Sequence, residues 1–127
     1  VYLNILCDRD EYLFAGEDMV MHPLVEQVSS YIAEHISEKI MVDDLAEYVH
    51  MSKYHFLRKF KDLTGVTAHS FLVNKRLIKA CETLKEGKSV TESYQEAGFA
   101  DYTSFLRNFR ETYGVAPGKY VEFYLGG

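Results

Sequence analysis

From Pro23 onward the apolar positions recur at helical spacing. Leu24, Val28, Tyr31, Ile32 and Ile36 fall on one face at steps of three and four, and Pro23 suits a first-turn position, which predicts a helix over about 23–36. Val42, Leu45, Ala46 and Val49 predict a short second helix. Ser52 can cap a third that runs to Thr64, where Gly65 supplies a left-handed stop. A longer helix is predicted from Ala68 to Glu86, with Phe71, Leu72, Ile78, Cys81 and Leu84 apolar and Gly87 at its end. Ser89-Val90-Thr91-Glu92 has the form of a capping box opening a short helix to Ala97. Asp101 can cap another helix that ends at Gly114, and Pro117 opens a last one through about Tyr124. Residues 1–21 mix apolar and acidic residues without a sustained period, and they are read as a tail or linker. Nothing outside that tail alternates as a strand does, so the class is all-α.

The chain also repeats itself. At a shift of 49 residues Phe56 meets Phe105, Leu57 meets Leu106, Arg58 meets Arg107, Phe60 meets Phe109 and Lys61 meets Arg110. The register continues through Gly65/Gly114, Val66/Val115, Phe71/Tyr120 and Leu72/Val121. Each copy holds a short helix, a tight turn and a longer helix, the helix-turn-helix plan, with one more residue between the helices of the second copy. The turns are Val49-His50-Met51 and Gly98-Phe99-Ala100; glycine suits the positive φ such a turn needs, and His50 is a less comfortable occupant.

In the first copy Phe56, Phe60 and Leu63 define a stripe expected to be buried, which leaves Lys53, Tyr54, Leu57, Arg58 and Lys61 on the open side. In the second, Phe105, Phe109 and Tyr113 are expected inside and Tyr102, Thr103, Leu106, Arg107 and Arg110 outside. Faces of this kind can enter major grooves, where Arg and Lys bind guanine edges and Leu or Thr methyls meet thymine. Ser52 stands at a helix N-terminus, whose unpaired N–H groups can also receive a phosphate; Asp101 at the matching place would repel one. The connecting helix, roughly 28 Å long at ~1.5 Å per residue, suits two rods about one DNA turn apart on one side of a duplex.

Composition first argues against such a role and then, by its distribution, for it. The 127 residues are 47% apolar, enough to fill a core, with a net charge of −5. Residues 26–51 carry −5, whereas residues 52–80 carry +6 through Lys53, Arg58, Lys59, Lys61, Lys75, Arg76 and Lys79 against Asp62 alone. A charge run is usually a solvated face, so charge alone leaves DNA contact open. Arg76 is read as structural within the long helix, with Lys75 and Lys79 solvated or near a nucleic-acid backbone.

Cys7 and Cys81 lie far apart with no ligand spacing around them, and the five histidines show no pairing, so neither metal, cofactor nor disulfide is expected. There is no Ser/His/Asp order, no phosphate-cradling glycine loop and no paired carboxylates in an apolar setting, so an enzyme is not expected. The apolar runs are short and the first residues lack signal-peptide order, so a soluble cytoplasmic protein is expected; the absence of an initiator Met suggests a segment of a longer one.

Segment 42–127 resembles the AraC-type bacterial transcription regulators. The likeness rests on Leu45-Ala46, the run from Ser52 to Lys61, Gly65 and Arg76-Leu77 with Ala80. It continues in Glu96-Ala97-Gly98-Phe99-Ala100-Asp101, Phe105 to Phe109, Tyr113-Gly114-Val115-Ala116-Pro117 and Tyr120. The resemblance implies a seven-helix double helix-turn-helix domain, in which a long linker helix (68–86) joins two homeodomain-like units, 22–67 and 87–127. It implies a double-stranded promoter DNA partner and an activating contact with RNA polymerase; the acidic first two helices are either a solubilising face or the surface for that contact. It also implies a sensing or dimerising domain on the N-terminal side that would bind any effector, with residues 1–21 as its end and linker.

Ser93-Tyr94 departs from the family, which places an apolar and then a small residue there. A Tyr at a close helix contact is expected to part the helices or shift their register. With the acidic total and a second unit that is not net basic, this leaves a second possibility, a protein-interaction module that kept the fold without tight DNA binding.

Overall fold

The computed structural model describes residues 22–124, which form seven α-helices and, among the described residues, no strand. They are α1 (Pro23–Glu34), α2 (Val42–Tyr48), α3 (Lys53–Thr64), α4 (Ala68–Lys85), α5 (Val90–Glu96), α6 (Tyr102–Tyr113) and α7 (Pro117–Tyr124). The tail 1–21 and Cys7 lie outside the described residues. None of the described helices is long and apolar enough to cross a membrane.

The helix boundaries follow from local chemistry. Ser52, Thr67, Ser89 and Asp101 each accept a hydrogen bond from the N–H three residues on, which satisfies a donor the helix cannot. At Ser89 the box closes, because Glu92 Oε1 accepts from the Ser89 N–H at 3.0 Å. Asp44 Oδ2 accepts from Met41 N–H in the same way at 2.9 Å, a half-box whose Met41 side chain returns nothing. Gly65 and Gly114 end α3 and α6 at φ 81° and 82°.

Two apolar clusters divide the molecule. The first gathers α1, α2 and α3 around Val28, Ile32, Leu45, Phe56 and Phe60; the second gathers Ala97, Phe105, Phe109, Tyr113 and Tyr120. Helix α4 serves both, giving Ala68, Phe71 and Leu72 to the first and Leu77, Ala80, Cys81 and Leu84 to the second. That double duty is why its apolar residues do not lie on one face. The repeat extends to ring geometry: Phe60 meets Phe71 edge-on at 5.1 Å, and Phe109 meets Tyr120 edge-on at 5.5 Å. The first turn of α4 thus closes the first unit as α7 closes the second. Each Phe buried this completely contributes roughly 1.5–3 kcal/mol.

Between the two clusters, Arg76 is 6% exposed. Its Nη1 donates to Ile36 O at 2.6 Å and to Ala97 O at 2.9 Å, and its Nη2 donates to Glu38 O at 3.0 Å. One guanidinium therefore ties the α1–α2 loop of the first unit to the turn of the second. Burial holds it below the ordinary arginine value, yet a guanidinium stays cationic at neutral pH. The structural role expected for Arg76 is present in these three bonds.

The two turns are superposable in their hydrogen bonding. Met51 N–H donates to Ala46 O and His50 N–H to Glu47 O, both at 3.0 Å; Phe99 N–H donates to Tyr94 O and Gly98 N–H to Gln95 O, both at 3.1 Å. This closure requires a left-handed residue, which is His50 at φ 59° in one unit and Gly98 at φ 88° in the other. Gly98 has a second constraint, because a Cβ there would overlap Arg76 Nη1 and Ile36 O.

Substitutions at these matched positions are expected to act with opposite sign. His50→Gly should raise stability by up to about 1 kcal/mol by relieving left-handed strain. Gly98→Ala should lower it by more than ~2 kcal/mol, since strain and overlap add. Urea unfolding of the two variants reads both, and equal shifts at the two sites would contradict the assignment.

Candidate nucleic-acid interface

The outer faces of α3 and α6 are set by the rings on their inner faces. Phe56 and Phe60 are fully buried, so the residues opposite them face out: Lys53, Tyr54, Arg58 and Lys61 are exposed, Tyr54 by 66%. Two expectations need correction. Leu63 is 38% exposed rather than buried, because the stripe continues by a step of four to Thr64, whose Oγ1 donates to Phe60 O at 2.9 Å. Leu57 is half-buried against the first cluster rather than open, since it flanks Phe56 on the helix surface.

Lys53, Tyr54, Leu57, Arg58 and Lys61 line one surface depression together with Asp62 and Thr67. The Arg58 guanidinium lies over the Tyr54 ring at 5.7 Å, which holds the cation in place at little desolvation cost. Ser52 is spent as the cap of α3, its Oγ accepting from His55 N–H at 3.2 Å, and stands at the same end. Lys53 Nζ is 3.5 Å from Asp43 of α2, with both side chains more than half exposed. The pair is therefore weak and yields readily to a stronger anion.

The second unit repeats the frame with other chemistry. Phe105, Phe109 and Tyr113 are buried as expected. Thr103, Arg107 and Arg110 are exposed and Tyr102 is 45% exposed, while Leu106, like Leu57, is half-buried rather than open. Arg107 borders the cleft between the units, which also takes in Lys39, His69 and Asn108. Asp101 Oδ1 accepts from Ser104 N–H at 2.8 Å, so its charge is engaged in capping.

The expected wedge at Ser93-Tyr94 is not found. Because the segment before the turn matches at a shift of 48, Ser93 stands where the first unit has Leu45 and Tyr94 where it has Ala46. Ser93 is the fully buried one, and its Oγ has no hydrogen-bond partner among the described residues. Tyr94 is half-buried, its ring stacked on Phe105 at 5.8 Å and 5.9 Å from Tyr102. The bulky residue thus lies against α6 and the small one takes the interior.

Asp44, Glu38 and Glu47, after burial itself, hold the Tyr31 phenol above its ordinary value. Its ring lies 4.9 Å from that of Tyr48.

Residues 45–122 match the family model described as a helix-turn-helix domain. The sequence is 32% identical over 122 residues to the probable transcriptional regulator LumQ of Photobacterium leiognathi, covering 95% of this chain and 49% of that protein. It is 31% identical over 91 residues to the regulatory protein PocR of Salmonella typhimurium, covering 71% of this chain and 30% of that one. The chain thus spans about half the length of the first relative and less than a third of the second. Among solved structures it resembles the DNA-binding domain of AdpA, a global transcriptional factor, in complex with a target DNA. The TM-score is 0.76 at 31% identity, over 82% of this chain and 94% of that one. It also resembles the C-terminal domain of AraT, a response regulator from Geobacillus stearothermophilus, with a TM-score of 0.73 at 25% identity over 80% and 85% of the two chains.

The orphan hydroxyl of Ser93 makes a stability prediction. Ser93→Ala removes a buried group that has lost its water and gained no partner, and it should raise stability by about 1 kcal/mol. Thermal unfolding measures this, and a clear loss would show that the hydroxyl is satisfied.

Proposed function

The chain belongs to the AraC-type helix-turn-helix family, and from that premise we propose that it is a sequence-specific DNA-binding transcription regulator. It seats α3 and α6 in two adjacent major-groove segments of promoter DNA. The observation that carries this is the exposure of one matched face on both helices, in a fold shared with a domain solved on its target DNA. In the first unit Lys53, Tyr54, Arg58 and Lys61 face the groove, with Leu57 half-buried beside them and Ser52 at a phosphate. In the second, Tyr102, Thr103, Arg107 and Arg110 do so, with Leu106 half-buried beside them. Residues 22–67 and 87–127 act as the two reading units and residues 68–86 as their spacer.

The regulator is an activator in this reading. Glu38, Asp44 and Glu47 on the α1–α2 side offer RNA polymerase an acidic surface, whereas Asp43 pairs with Lys53 of the recognition face.

Titration of promoter fragments at two salt concentrations tests the proposal. Binding should weaken steeply as salt rises, log K falling by ~0.9 per log unit of salt for each phosphate neutralised. Arg58→Ala should cost ~1–3 kcal/mol of specific binding and relax preference at one position if it reads a base. An equal loss on every sequence would make it a phosphate contact. No binding, or binding indifferent to salt, would favour the protein-interaction module instead.

A further inference from the structure

The two units hold the first side chain of their recognition helices by different means. In the first unit that residue is Lys53, and the preceding helix meets it with a carboxylate, Asp43, at 3.5 Å. In the second it is Tyr102, and the position matching Asp43 is the uncharged Thr91. The preceding helix meets Tyr102 instead with the Tyr94 ring, 5.9 Å away at 57°. Tyr94 is itself fixed by stacking on Phe105, which is completely buried and also lies 6.5 Å from Tyr102. Three rings thus form a chain running from the core to the exposed N-terminal turn of α6. The matched position in the first unit, Ala46, has no ring and could not build it.

We propose that Tyr94 is a positioning residue that holds the Tyr102 ring against DNA, so that the second unit engages its half-site through an aromatic, uncharged contact. The proposal rests on the DNA-binding reading above. A phenol at the first turn of a recognition helix can lie against thymine methyl groups and donate to a phosphate oxygen, and neither contact releases a protein–protein ion pair. An unrestrained Tyr102, nearly half exposed, would lose rotamer freedom on binding; one already packed against Tyr94 has lost it beforehand. The Ser93-Tyr94 pair is then a specificity device, with Ser93 giving up interior volume next to the residue that turns outward.

The test takes a duplex that the 127-residue chain selects from a random-sequence pool, and two derivatives with one or the other half-site scrambled. Fluorescence anisotropy at two salt concentrations gives the affinities. Tyr94→Ala should weaken binding to the intact duplex about threefold to tenfold, the size of one lost aromatic pair. The loss should persist on one scrambled duplex, vanish on the other, and leave the salt slope unchanged. Tyr94→Phe should bind as the wild type does. In a Tyr102→Ala background Tyr94→Ala should add nothing further, because the two act through one contact.

Full additivity of the two variants, an equal loss on all three duplexes, or a Tyr94→Phe variant as weak as Tyr94→Ala would each overturn the proposal. If thermal unfolding shows that the alanine variant does not fold, Tyr94→Leu, which keeps apolar bulk on Phe105, is measured in its place with the same expectations. A chain that selects no duplex at all overturns the DNA-binding reading, and a chain that selects one while Tyr94→Ala binds it normally overturns only the role given to Tyr94.

Discussion

One guanidinium joins the two halves of this molecule. Arg76 donates to Ile36 O and Glu38 O on one side and to Ala97 O on the other, from the helix that supplies both cores. A cation this deeply buried survives only because it satisfies several acceptors at once, and those acceptors are backbone carbonyls of the two units. The fork fixes direction as well as distance, as a lysine ammonium would not. Removing Cβ at Gly98 is what lets the guanidinium lie against the turn, so a single glycine on the second unit and a single arginine on the linker specify each other. Two small aromatic cores that could otherwise swing about α4 are thereby held as one object.

Duplication supplied the frame and divergence the differences. Both units close with a ring from the helix that follows, and both turns end in the same pair of backbone bonds. Their faces differ in kind. The first presents lysines and an arginine over a tyrosine; the second presents two arginines, a threonine and a tyrosine packed on other rings. The uneven charge along the sequence has the same origin, and an acidic total is compatible with a basic reading face because the carboxylates of α1 and α2 are concentrated in another part of the chain.

Much of this was legible in the residues. The caps at Ser52, Ser89 and Asp101 and the stops at Gly65 and Gly114 are local chemistry, and local chemistry is readable without a fold. The repeat exposed the two-unit plan, and the resemblance to AraC-type regulators is borne out by the family match. What escaped was tertiary. Leu63 and Thr64 are both acceptable on a helical stripe, and it is Thr64 that continues it, with its hydroxyl bonded to Phe60 O and Val66 O. Tyr94 looked like an obstruction because its side chain could have pointed either way, and the space beside Phe105 is not visible in spacing. That Arg76 would be structural could be read, but its three carbonyl partners lie 21 to 40 residues away and no periodicity names them.

The central claim is that the two units form one rigid reader through the linker helix and its arginine. Residual dipolar couplings for the amides of α3 and α6, measured in one weakly aligned sample of the free chain, test it directly. A single alignment tensor is expected to fit both helices in their present orientation. Two tensors of different magnitude or axis would mean that the halves move independently, and the account would fail at its foundation.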